Sequence, residues 1–386
     1  MLKASEIKSI LNHVMKNNDY LTSLGKQKTT LCIEGEAGIG KTSVIEQVAR
    51  ENNLGFHKIT LSQIDQVGDL LGFPQKEFLT KEYGWLNERE IESHEKVTLT
   101  GESRTGYCQP AWVPQENDKG VLLLLDDFSR AAPHIIQSTM ELLDRGEFIS
   151  WKLPKNCNIV LSQNPEDGDY FVSSMDEAQK TRYIKVDMKF DVNEWATWAE
   201  RDGVDSRCIN FLLLNPEMID KKKTVNARIA TKFFDSISSI SDFDSPESLY
   251  LINNLGSGSV GDEFTNAFLM FINNKLDRIP SPNMIFDQEK DSGAISLISD
   301  CTGDKTDDNY RQNIASVICT RLINFTNASS AKPKFSAKNF VGRLDAIITS
   351  EVFSDDINYH LVKTLNANNK MSGLLNNPKI AKIAIK

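Results

Sequence analysis

Apolar and polar positions change rhythm once along the chain, near residue 190. Before that point, short apolar runs at residues 30–34, 57–61, 121–126, 158–163 and 183–186 read as strands. Amphipathic stretches at residues 42–52 and 134–142 read as helices between them. Val121, Leu122, Leu123, Leu124 and Leu125 are apolar in succession, a pattern that suits only a strand covered on both faces. Strands alternating with helices predict a parallel sheet with crossover helices. Residues 72–112 break the rhythm with charges and glycines, and a structureless loop of that length is unusual. A hairpin or short helix projecting from the sheet is expected there.

Beyond residue 190 the pattern is helical. Asp191-Val-Asn-Glu-Trp195 reads as a helix start with an acidic first turn. Residues 225–240, 310–323 and 356–365 are further amphipathic runs, and residues 256–261 and 279–282 read as breaks. Trp195 and Trp198, at helical spacing, are expected in a core. Ile7, Ile10, Leu11 and Val14 give the N-terminus an apolar helical stripe, interrupted by charges as no signal peptide is.

Composition alters this picture little. The 386 residues, 40% apolar and 25% charged, suit a globular chain of two or three structural units. The net charge of −9 argues against a nucleic-acid coat, which requires a basic face. Lys221, Lys222 and Lys223 form one small basic cluster, read as a solvated helix face. The six cysteines contain no CxxC pair and fit neither a zinc site nor a disulfide framework. The five histidines lack metal-binding spacing. No stretch approaches the roughly 20 apolar residues of a membrane span. A soluble, cytoplasmic protein is expected.

The chemistry begins at Gly35, Glu36, Ala37, Gly38, Ile39, Gly40, Lys41 and Thr42, which satisfy G-x4-G-K-[ST] between a strand and a helix. Such a loop turns successive backbone N–H groups toward phosphate oxygens, and the following helix, through Ser43, adds its positive end. Lys41 would neutralise the β- and γ-phosphates of ATP, and the Thr42 hydroxyl would ligate magnesium. The buried strand then ends in Asp126 and Asp127. A carboxylate at that tip can hold magnesium, which falls to Asp126, while Asp127 can orient or deprotonate an attacking water.

At this point the sequence resembles a family. Asp126-Asp-Phe-Ser-Arg-Ala131-Ala-Pro is similar to the D-E-[IV]-N-R-A-x-P segment of MoxR-type AAA+ ATPases and the related dynein- and midasin-like modules. Asp69-Leu-Leu-Gly72, Gln137-Ser-Thr-Met-Glu-Leu-Leu143, Leu161-Ser-Gln-Asn164-Pro and Glu177-Ala-Gln-Lys-Thr-Arg182 resemble further family segments, in order. The resemblance covers about residues 25–235. It implies an AAA+ α/β domain over 1–189 with a five-stranded parallel sheet and an insert at about 73–112. A helical lid over 190–272 and a mainly helical region over 273–386 would follow.

The same resemblance implies that Asn164 senses the attacking water or γ-phosphate. Arg182 would be the arginine finger that reaches a neighbouring subunit's nucleotide, with Arg130 and Arg145 as rivals. Arg228 would be the lid's sensor arginine, and adenine would sit between the lid and the segment near Ile7–Leu11. A finger supplied in trans requires a homo-oligomer, and head-to-tail closure makes a ring, expected to be hexameric. The insert would face the pore or the substrate.

The expected activity is magnesium-dependent ATP hydrolysis that remodels or assembles a protein partner, in this family often one with a von Willebrand factor A-type domain. The family has Glu where this chain has Asp127. Asp is shorter by about 1.5 Å, and misplacing a catalytic group by about 1 Å can cost around 10²-fold. Either hydrolysis is slow or the fold places the water closer, and a nucleotide-gated oligomeric scaffold is the first rival. A DNA-associated loader is the second, and the acidic charge weighs against it.

Overall fold

The computed structural model describes residues 1–115, 119–149, 151–166, 175–219, 225–307, 309–330 and 336–385. The lysine cluster at 221–223 lies outside them. The chain forms two compact units, Met1–Phe190 and Asp191–Lys386. Among the described residues, no helix is long and apolar enough to cross a membrane.

The first unit opens with α1 (Ala4–Ser23), β1 (Leu31–Glu34), α2 (Lys41–Glu51) and β2 (Gly55–Thr60). After α3 (Val67–Leu71) come β3 (Pro74–Thr80), β4 (Gly84–Asn87), α4 (Glu88–Ser93) and β5 (Leu99–Tyr107). The unit closes with β6 (Val121–Asp126), α5 (Pro133–Ser138), α6 (Met140–Arg145), β7 (Cys157–Gln163), α7 (Glu177–Lys180) and β8 (Ile184–Asp187). Five strands form one parallel sheet in the order β2-β6-β7-β1-β8. The expected α/β class and the apolar run of β6 therefore hold.

The reason lies in the two-residue period of strands. Leu122 and Leu124 pack with Ile7, Leu11 and Met15 of α1 and with Val44, Ile45 and Val48 of α2. Val121, Leu123 and Leu125 face the opposite side, with Ile135, Ile136 and Leu142 of α5 and α6. All five side chains are fully buried. Each contributes about 1.5–3 kcal/mol of burial relative to exposure. Asn18 of α1 adds a polar clamp, donating to the Thr29 carbonyl and to Asn158 Oδ1, both at 2.9 Å.

Two local expectations change. The single helix over 134–142 is two helices, because Thr139 is fully buried and its hydroxyl donates back to the Ile136 carbonyl at 2.7 Å. Such back-bonding competes with the helical ladder. Residues 74–107 carry both a helix and a three-stranded antiparallel sheet, in the order β4-β3-β5. The base of this insert is closed by the Cys108 amide, which donates to the Phe73 carbonyl at 2.8 Å. Gly72, at φ +91°, permits that seam, since a Cβ there would lie 1.6 Å from the Cys108 oxygen.

The second unit is helical. It starts with α8 (Val192–Asp202), α9 (Ser206–Leu214), α10 (Ala227–Ile237), α11 (Pro246–Ser259) and α12 (Gly261–Asn273). Trp195 is buried and lies 6.3 Å, centroid to centroid, from Phe234, while Trp198 is half-buried beside it. Phe211, Phe233 and Phe264 continue this aromatic core. A separate apolar cluster runs from Ile279 to Ile380. Arg321, 1% exposed, joins the two with hydrogen bonds to Glu200, Ser206 and Asn210. The break expected at 256–261 falls only at its end. α11 runs through Gly256, where a Cβ would meet Thr265 Oγ1 of α12 at 2.5 Å, so this glycine serves close helix packing.

Candidate functional site

Because the sheet is parallel, the last residues of its strands share one edge. Glu34, Asp126 and Gln163 end β1, β6 and β7 there. The loop after β1 carries Glu36, Ala37, Gly38 and Ile39 and turns into α2 at Gly40. Gly40 has φ +97°, a region costly for residues with a side chain. It delivers Lys41 to the first position of α2, 8% exposed.

The Lys41 ammonium folds back over the loop. It donates to the carbonyls of Gly35 at 2.6 Å and Glu36 at 2.9 Å, and to Asn164 Oδ1 at 3.0 Å. Asn164 is itself buried, and its carbonyl accepts from the Ser129 hydroxyl. The Thr42 hydroxyl lies 3.3 and 3.4 Å from the two Asp126 oxygens. Ser43 follows on the exposed side. Lys41, Thr42, Asp126 and Asn164 thus meet at one edge.

Two further groups hold Asp126. Lys58 of β2 pairs with Oδ2 at 2.7 Å. Its register partner is Leu124, so Lys58 and Asp126 are diagonal neighbours on one face. Ser162 sits one step past the Leu125–Leu161 pair and donates to Asp126 Oδ1. Burial, the largest influence, pushes the Asp126 carboxyl up. The Lys58 and Ser162 bonds, the Lys58 charge and the Thr42 bond outweigh it and bring the pKa below the ordinary value. Sequence reasoning missed Lys58 and Ser162. Their signal is a polar residue near the end of each neighbouring strand, legible only once the strand order is known. A second cluster adjoins the loop: the Glu34 carboxylate accepts from Gln163 Nε2 at 2.6 Å and pairs with Lys185 at 2.8 Å.

Asp127 stands half-buried just after β6, with φ 53° and ψ 39°. This left-handed conformation is uncommon outside glycine, and Asp tolerates it better than most residues. It turns the chain into the short turn carrying Arg130, which is exposed at the same edge.

The other arginines lie elsewhere. Arg182 precedes β8, whose first residue Ile184 is level with Leu31 at the start of β1. It pairs with Asp144 at the end of α6, next to the exposed Arg145. Arg182 and Arg145 therefore occupy the amino edge of the sheet, opposite the phosphate loop. Arg228 belongs to the second unit, exposed in the first turn of α10. Ile7 and Leu11 of α1, the segment expected near a base, have their side chains buried in the core.

Among the described residues no group of three or more His, Cys, Asp or Glu is poised to hold a metal. The Thr42–Asp126 pair is the hydroxyl and carboxylate set that suits a hard, largely hydrated cation such as magnesium. The buried lysine at a glycine-bent loop and helix start suits phosphate oxygens.

No family model matches the sequence, and no curated protein matches it. Among solved structures, the chain has a partial likeness to the Thermotoga maritima RuvB Holliday junction branch migration motor. That match has 11% identity and TM-score 0.34 and covers 73% of this chain and 74% of that one. A point mutant of the same RuvB gives 12% identity, TM-score 0.37 and coverage of 74% and 76%. Hsp104 in its closed state with ATPγS and FITC casein gives 14% identity, TM-score 0.32 and coverage of 64% and 44%. These overlaps are loose.

Proposed function

We propose that this protein is a magnesium-dependent AAA+ ATPase that acts in a head-to-tail ring, expected to be hexameric, to remodel or assemble a protein partner. The observation that carries the reading is the meeting of Lys41, Thr42, Asp126 and Asn164 at the carboxyl edge of a five-stranded parallel sheet. Phosphoryl transfer needs little covalent help from a protein; it needs cations and donors placed around the phosphates.

In this reading residues 35–43 hold the triphosphate of ATP. Lys41 exchanges its carbonyl partners for β- and γ-phosphate oxygens, and Asn164, already bonded to Lys41, lies beside the γ-position. Thr42 and Asp126 would hold magnesium, which when bound supplies charge neutralisation across the phosphates. Asp127 orients the attacking water. Arg182 lies too far along the sheet to serve its own loop, which supports a finger acting in trans. Arg145 shares that edge and stays a rival, whereas Arg130 lies at the edge of its own loop. Arg228 serves as the lid's sensor, with the lid over 190–272 and a separate region over 273–386. The two cores of the helical unit favour that division. The insert over 73–112 meets the protein partner, for which a von Willebrand factor A-type domain is the family-based choice.

Asp127 also favours a second reading, a nucleotide-gated scaffold with weak hydrolysis, because its carboxylate reaches less far than the glutamate of the family pattern. Turnover of the wild type, Asp127→Glu and Asp127→Ala separates the two. If alanine leaves turnover unchanged, the motor reading fails.

A further inference from the structure

A cavity of about 390 Å³ opens at the amino edge of the sheet, between the residues leading into β1 and those on either side of the α6–β7 connection. Five cationic side chains line it: Lys26, Lys28, Arg145, Lys152 and Lys155. Two carboxylates, Asp144 and Glu147, line it as well, and both are engaged, while Asp19 acts on Lys28 from outside the lining. Asp144 pairs with Arg182, and Glu147 pairs with Lys152 at 2.5 Å. Lys28 points inward and donates to the carbonyls of Lys155 at 2.6 Å and Cys157 at 2.7 Å, which fix its charge in place without cancelling it. Lys26, Arg145 and Lys155 are exposed and form no ion pair among the described residues.

This concentration of positive charge runs against a chain of net charge −9. Like charges kept together without partners repel one another and persist most readily where a ligand neutralises them. Ammonium and guanidinium groups converging on one cavity suit phosphate oxygens, through charge-assisted hydrogen bonds. The volume falls in the range of about 300–1,000 Å³ usual for small-molecule sites. The carboxyl end of α6 weakly opposes an anion, but that effect is confined to its last turn.

We propose that this cavity is a second ligand site, for a small molecule bearing a di- or triphosphate group free in solution. It is distinct from the phosphate loop. β1 and β7, four and seven residues long, separate the two edges by about 13–23 Å. Within one subunit, one chain of phosphates does not reach both. The proposal stands independently of the ATPase reading.

The test uses the full chain with Lys41→Ala, titrated calorimetrically with inorganic triphosphate. Saturable binding is expected, and adding Lys26→Ala and Lys155→Ala should weaken it by about tenfold or more. Both lysines are exposed, so the melting temperature should not move. Arg145→Ala, tested alone, should weaken the same binding. With Lys41 intact, the double lysine variant should keep its affinity for nucleotide at the phosphate loop. The proposal is overturned if the Lys41→Ala protein shows no saturable triphosphate binding. It is equally overturned if neither the lysine pair nor Arg145 changes the affinity. Loss of nucleotide affinity in the double lysine variant with Lys41 intact would overturn the separateness of the two sites, whereas a wild type that binds no nucleotide would count against the ATPase reading alone.

Discussion

The two edges of one sheet differ in how many of their lysines have internal partners. Toward the carboxyl edge Lys41 rests on carbonyls and Asn164, Lys58 on Asp126 and Lys185 on Glu34. At the amino edge Lys26, Arg145 and Lys155 carry no ion pair among the described residues. Arg182 is paired there with Asp144, and Lys152 with Glu147. The difference teaches that the carboxyl edge is organised before a ligand arrives, whereas the amino edge requires its counter-charge from outside. For catalysis the first arrangement is valuable, because donors already in place need no reorganisation during the reaction.

The largest test of this contrast joins the edges. If Arg182 works in trans, Arg182→Ala should lower ATP turnover by about 10³–10⁵-fold while nucleotide affinity stays near that of the wild type. Mixing it with a Lys41→Ala protein should restore part of the activity, read as turnover against mixing ratio. No recovery would place the finger elsewhere. Next in size, Lys41→Ala should reduce turnover by about 10²–10³-fold and weaken binding of a fluorescent nucleotide. The amino-edge cavity should be indifferent to it. Asp127→Ala should cost about 10²-fold in turnover, and Asp127→Glu should raise turnover above the wild type.

The smallest effect concerns stability. The Asp126 pKa is lowered on folding, so its contribution is fully present above the ordinary carboxylate pKa and is lost as pH falls through the lower folded value. Acid melting curves should therefore show the wild type losing its advantage over Asp126→Asn below about pH 4. Lys58→Met should narrow that difference. A gap that widens toward low pH would contradict the pairing.

Legibility in the sequence followed burial. The run Val121–Leu125 announced a doubly covered strand because both faces needed apolar residues. The phosphate loop was legible because its motif is local. The insert was not, since β5 is exposed over most of its length and hydrophobic patterning carries no signal there. Lys58 and Ser162 were missed for a different reason. Their role exists only across strand neighbours that are distant in the chain. Gly256 looked like a helix break, yet the space it leaves is filled by Thr265 from the next helix.

The backbone at Asp127 carries a consequence for mutational history. A residue at φ 53° favours a short polar side chain, and a glutamate there gives up that local preference. A single codon change to Glu would therefore lengthen the side chain's reach while making the turn harder to form, by about 1 kcal/mol. Laboratory selection for turnover, started from Asp127→Glu, should recover second-site changes in or around residues 128–131.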